Sequence, residues 1–192
     1  TNVQSDIDTG AIYNTTDGKT YLFITLTTVT GLAPTLYFSK STTSLMVINW
    51  GDGTTSTSTT SGNQTIQHTY ATAGDYVITV DNSQGGMFSF ANNTPTTTIF
   101  QGYTHILTKV YCGLNMSLGN YAFRGYSLLK YISLSSVALD SLSLENTPNM
   151  QHLNFGQNIS GNGLLNGSNK IKIVLKYTQI TITGSNCFTS II

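Results

Sequence analysis

A 21-residue echo runs through the second half of this 192-residue chain: Leu129, Ile132 and Leu134 recur as Met150, Leu153 and Phe155, and again as Ile171 and Val174. This spacing constrains the fold more than any other feature, because so short a unit can bury its apolar face only against the next copy. A second column, Phe123, Leu144 and Leu165, precedes each strand by the same offset and sets the phase. An upstream copy is also present. Phe100-Gln101-Gly102-Tyr103 mirrors Phe123-Arg124-Gly125-Tyr126, and Leu107 and Val110 stand where Leu129 and Ile132 stand later. The spacing predicts stacked short strands, an architecture that usually makes binding surfaces.

From Tyr21 to Val80 the pattern is also all β, but without a repeat. Runs such as Tyr21–Leu26, Leu45–Trp50 and Tyr76–Val80 are rich in β-branched and aromatic residues, and Gly, Pro, Ser and Asp clusters separate them. Short strands at this spacing predict a sandwich. Gly51-Asp52-Gly53 reads as a tight turn in which glycine supplies positive φ and Asp52 caps its own backbone. Residues 85–99, with Gly85-Gly86 and Asn92-Asn93-Thr94-Pro95, read as a connector carrying a short strand near Met87–Phe90. The expected organisation is therefore a sandwich over 1–84, the connector, and a repeat array over 100–192. No helix longer than a turn or two is expected, and the best helical stretch, Leu118 to Phe123, is too short to stand without tertiary packing.

Both halves carry a resemblance. The stretch from Val47 through Trp50-Gly51-Asp52-Gly53 to Ser56, followed by His68-Thr69-Tyr70 and Ala73-Gly74-Asp75-Tyr76-Val77, resembles PKD-type immunoglobulin-like domains. That resemblance implies an extracellular β-sandwich spacer or adhesion module without catalytic machinery. The stretch Tyr121-Ala122-Phe123-Arg124-Gly125-Tyr126 through Leu129, Ile132 and Leu134 resembles the short leucine-rich repeats of bacterial surface antigens. Tyr126 stands where those repeats have a cysteine, and the later copies are degenerate. A PKD-like sandwich followed by such repeats is similar to architectures in surface proteins of gut bacteria and in virion proteins of their phages. The fold class this implies is all-β: an immunoglobulin-like (PKD-like) β-sandwich followed by a short leucine-rich-repeat-type β-solenoid.

Charge narrows the choice of partners. Only 8% of residues are charged and the net charge is zero. Nucleic-acid binding of the kind that relies on phosphate neutralisation is therefore not expected. The halves differ: residues 1–100 carry two lysines against six aspartates, net −4, and residues 101–192 carry six cations against two acids, net +4. Screening over about 8 Å at physiological salt favours a solvated surface as the reading of this dipole. No apolar run approaches the ~20 residues of a spanning helix, and the first residues lack the pattern of a signal peptide. Cys112 and Cys187 fall at opposite ends of the array and at different repeat phases, so two free, mostly buried thiols are expected, with neither a disulfide nor a zinc site.

Few residues suggest chemistry. Asp52 has no second carboxylate nearby in sequence, so a turn role is preferred over a cation site, and Asp6 and Asp8 read as solvated acids. Trp50 is assigned to packing, with an acceptor for its indole N–H. His68, His105 and His152 share no local frame with a nucleophile and an orienting acid, and His68 is expected to hydrogen-bond near the turn. No catalytic residue, metal or cofactor is expected.

The repeat phase supplies the positional argument. With Leu129, Ile132 and Leu134 inward, Lys130, Tyr131 and Ser133 point out. Stacking then predicts a ladder of Lys109, Tyr131, His152 and Ile173 beside one of Tyr111, Ser133, Asn154 and Leu175. From these, Lys109, Tyr111, Lys130, Tyr131, His152 and Asn154 are the expected binding residues for a surface glycan or protein. Ile173, Leu175, Ile191 and Ile192 are the expected interface for self-association or docking on a larger assembly. The leading expectation is a non-enzymatic recognition or adhesion module, extracellular or at a cell surface. The alternative is a structural virion protein, such as a capsid decoration, head-fibre or tail component.

Overall fold

The computed structural model describes residues 17–27, 32–90, 97–113, 115–119, 121–134, 144, 146–155, 159–160, 172–175 and 182–183. These residues are all β, with no helix among them. Of the stretch expected to be most helical, Leu118 to Phe123, Leu118 ends a short strand, Met116–Leu118, and residues 121–123 lie in turns that run to 125. Its few residues gain more from pairing with a neighbouring strand than from an isolated helical turn.

Seven strands lie in the first half: β1 (Thr20–Leu26), β2 (Thr35–Lys40), β3 (Met46–Asn49), β4 (Thr55–Ser58), β5 (Gly62–Gln67), β6 (Gly74–Asp81) and β7 (Phe88–Phe90). Seven follow: β8 (Leu107–Cys112), β9 (Met116–Leu118), β10 (Tyr131–Leu134), β11 (His152–Phe155), β12 (Ile159–Ser160), β13 (Lys172–Leu175) and β14 (Ile182–Thr183). They form an eight-stranded mixed sheet in the order β13-β11-β10-β8-β1-β6-β3-β4, a four-stranded mixed sheet β5-β2-β7-β9, and a parallel pair β12-β14. The arrangement is compatible with a β-sandwich.

The eight-stranded sheet crosses the midpoint of the chain. Antiparallel strands β1, β6, β3 and β4 occupy one side and parallel strands β8, β10, β11 and β13 the other, with β1 pairing antiparallel to β8. The core is equally continuous. Leu22, Ile24 and Leu26 of β1, Leu36 and Phe38 of β2, and Phe88 and Phe90 of β7 share one buried cluster with the repeat residues Leu107, Val110, Phe123, Leu129, Ile132 and Leu153.

The repeat columns are visible directly. Phe100, Phe123 and Leu144 are fully buried, as are Val110, Ile132 and Leu153. Backbone bonds stitch one copy to the next at repeat-equivalent positions: Ser127 N–H donates to Thr104 C=O, Lys130 N–H to Thr108 C=O and Gln151 N–H to Lys130 C=O. Tyr126 links two copies by its side chain. Its hydroxyl accepts from Phe100 N–H at 2.6 Å and lies 3.1 Å from Phe100 C=O, with the residue fully buried.

Register holds through β11 and then slips. Lys109 aligns with Tyr131 and Tyr131 with His152, as the period predicts. His152, however, aligns with Lys172 rather than Ile173, and Asn154 with Val174 rather than Leu175. The last step is one residue shorter, and such a slip exchanges every position between the two faces of a strand. Ile173 therefore takes the register position of Leu153, and Leu175 that of Phe155. Ile191 and Ile192 lie outside the described residues, as do Cys187, Asp6 and Asp8. Cys112 is buried and is in no disulfide.

The turn after β3 is built by its own polar groups. Gly51 and Gly53 have φ of 85° and 92°. The Asp52 carboxylate accepts from Thr54 N–H at 3.0 Å and from the Thr54 hydroxyl at 2.6 Å, while its other oxygen lies 2.7 Å from His68 Nε2. The His68 ring stacks on fully buried Trp50 at 4.7 Å, and the Trp50 indole N–H donates to Ser56 Oγ at 2.9 Å. Tyr70 completes the corner by donating its hydroxyl proton to Trp50 C=O at 2.9 Å. With both its oxygens engaged by protein groups, Asp52 acts as a turn residue here.

Candidate functional site

The outer face of the eight-stranded sheet, opposite the core, carries the site. On β1 the inward residues are Leu22, Ile24 and Leu26, which leaves Tyr21, Phe23 and Thr25 on the other face. Register across the sheet sets Val77 of β6 beside Phe23, Phe23 beside Lys109 of β8, and Lys109 beside Tyr131 of β10. Val77, Phe23, Lys109, Tyr131 and His152 thus form one row that spans the antiparallel and parallel halves.

An irregularity opens this row into a groove. Phe23 pairs with Lys109 but Ile24 pairs with Leu107, so Thr108 is an extra residue at a bulge. Bulges bend a strand locally and re-aim its side chains. Thr25 N–H donates to Ile106 C=O at 2.8 Å on one side of the bulge, and the Thr108 hydroxyl donates to Phe23 C=O at 3.1 Å across it. Thr108 C=O accepts from Lys130 N–H at 2.9 Å, which sets Lys130 next to Lys109. The result is a groove of about 350 Å³ lined by Phe23, Ile24, Thr25, Asp75, Tyr76, Val77, Thr108, Lys109 and Lys130. That volume lies at the small end of the roughly 300–1,000 Å³ of ligand pockets.

Charge is divided across the groove. Asp75 accepts from the Thr25 hydroxyl at 2.6 Å, which orients its carboxylate on the β6 side. Lys109 and Lys130 stand on the repeat side, and among the described residues no carboxylate pairs with Lys130. The arrangement offers one acceptor, two ammonium groups and an apolar floor from Phe23 and Val77.

The expected binding residues divide into three groups. Lys109 and Lys130 meet in the groove. Tyr111 and Tyr131, expected on an open face, are buried there: Tyr111 is 0% exposed and Tyr131 8%. Their rings stack at 5.3 Å, and with Tyr21 and Phe23 they form a second buried cluster on the outer side of the sheet. Burial pushes the Tyr131 phenol above its ordinary pKa. Large aromatic surfaces on neighbouring strands are better covered by one another than left in water. His152 and Asn154 occupy the adjoining register positions on β11.

Asp75, Val77 and Thr108 were not among the expected binding residues. The positions of Lys109 and Lys130 were readable, but the residues that line the groove with them come from β1 and β6, which join the array through the pairing of β1 with β8 and the shared core. Among the described residues no group of three or more His, Cys, Asp or Glu is placed to hold a metal ion, and no helix is long and apolar enough to cross a membrane. No protein-family profile, curated protein or solved structure matches this chain.

Proposed function

We propose that this chain is a non-enzymatic recognition module, extracellular or at a cell surface, that binds a surface glycan or protein through its repeat face. The observation that carries the reading is the groove where repeat residues Lys109 and Lys130 meet Phe23, Asp75 and Val77 of the antiparallel strands. A rigid sheet holds these groups, and preorganised polar groups over an apolar floor suit recognition. The PKD-like identity of the first half is supported by the Trp50, Asp52, His68 and Tyr70 corner. The repeat identity is supported by parallel strands at a near-constant step. Screening the wild-type chain and a Lys130→Glu variant against arrays of glycans and surface proteins tests the proposal. Binding that the variant loses supports it, and a ligand bound equally by both places recognition elsewhere.

A second reading, a structural virion protein, is favoured by one observation. The large sheet ends at β13, which has no second partner among the described residues. An unpaired edge strand invites pairing with another chain. Light scattering across concentrations separates the readings, because a defined large assembly favours the virion role and a monomer favours recognition.

A further inference from the structure

We infer that the groove takes a carboxylate-bearing saccharide, such as a uronic acid unit of a surface polymer; this rests on the recognition function proposed above. Only eight lysine and arginine residues occur in the whole chain, yet two of them line this one groove. Concentrating cations so sharply on a sparsely charged surface favours an anionic ligand group, since charge-assisted hydrogen bonds are the strong ones. The placement of Asp75 then narrows the anion. A densely charged ligand such as a polyphosphate or nucleic acid would set negative charge against Asp75 as well as against the lysines. A sugar acid carries one carboxylate per ring and presents hydroxyls elsewhere.

The chemistry matches group by group. The saccharide carboxylate lies between the Lys109 and Lys130 ammonium groups. Ring hydroxyls donate to Asp75, whose orientation is already set by Thr25 at 2.6 Å, and exchange hydrogen bonds with Thr108. The apolar C–H face of the ring rests on half-buried Val77, beneath which Phe23 is packed. About 350 Å³ leaves room for one or two rings.

The test is a calorimetric titration with an oligogalacturonate, beside its fully methyl-esterified form, which keeps the sugar and removes the charge. It uses wild type, Lys130→Ala, Lys130→Glu and, as a control away from the groove, Lys19→Ala. Lys130 is exposed, so its variants are expected to keep the wild-type melting temperature. The inference predicts binding of the acid but not the ester, weakened at least about tenfold by Lys130→Ala, more by Lys130→Glu, and unchanged by Lys19→Ala. Equal binding of acid and ester, or acid binding indifferent to Lys130, overturns the inference. A glycan array run in parallel decides how far the failure extends. A neutral glycan bound in a Lys130-sensitive way keeps the recognition function and discards the acid. No Lys130-sensitive ligand of any charge overturns both.

Discussion

Replacing Tyr126 with Phe deletes one oxygen atom from the interior of the molecule. Tyr126 is fully buried, and its hydroxyl is the acceptor for Phe100 N–H at 2.6 Å; its proton is shared between Phe100 C=O at 3.1 Å and Thr98 Oγ1 at 3.4 Å. Phe100 C=O keeps a second donor in Tyr103 N–H at 3.1 Å, so the carbonyl is not stranded. The Phe100 N–H has no such reserve. A buried donor left without its acceptor costs about 1–3 kcal/mol. At roughly 2–4 °C per kcal/mol for a domain of this size, the variant should melt roughly 2–12 °C below wild type. Tyr103, the repeat-equivalent residue one copy earlier, is only partly buried, so Tyr103→Phe should stay within about 0.5 kcal/mol of wild type. Thermal denaturation followed by circular dichroism reads both variants. A Tyr126→Phe melting curve that overlays wild type, or equal losses in the two variants, would refute the claim that this phenol pins one repeat to the next.

Three further outcomes follow from the same geometry. Gly51→Ala places a Cβ 2.7 Å from Val77 C=O at a φ of 85°, so the variant should lose at least about 1–3 kcal/mol in denaturant unfolding, whereas Gly53→Ala meets no atom within 4 Å and pays only the backbone strain. Burial raises the Asp52 carboxyl, but hydrogen bonds from Thr54 and His68 more than offset this and hold it below the ordinary carboxylate value. Its contribution is thus complete above about pH 3.9 and lost as pH falls through the folded value, so an acid unfolding series should show Asp52→Asn with a shallower decline than wild type. Burial also pushes the Cys112 thiol far up, so in a Cys187→Ser background a thiol reagent should react only as the chain unfolds, and rapid labelling of the native protein would contradict the packing of β8.

Two kinds of information differed in how far the amino-acid order revealed them. The buried columns Phe100–Phe123–Leu144 and Val110–Ile132–Leu153 were readable because neighbouring copies solve one packing problem with one spacing. The Trp50, Asp52 and His68 corner was readable because Gly-Asp-Gly states its own turn chemistry. Strands β4 and β5 were not: Thr55–Ser58 and Gly62–Gln67 include one apolar residue, Ile66, and become strands by pairing with β3 and β2. The Thr108 bulge and the burial of Tyr111 and Tyr131 were hidden for a related reason. Both depend on β1 lying beside β8, some 90 residues away, and no local period records that contact. Lys130 was foreseeable as an outward cation, while Asp75, which lines the same groove, belongs to a strand whose place in the sheet only the fold reveals.

The central claim is that recognition occurs in the groove between the antiparallel and parallel halves of the large sheet. The most direct measurement is a backbone amide spectrum of isotope-labelled protein titrated with the oligogalacturonate. The account predicts shifts confined to Phe23, Asp75, Val77, Thr108, Lys109 and Lys130. Shifts clustered on β4 and β5 instead, or a spectrum unchanged at millimolar ligand, would contradict it.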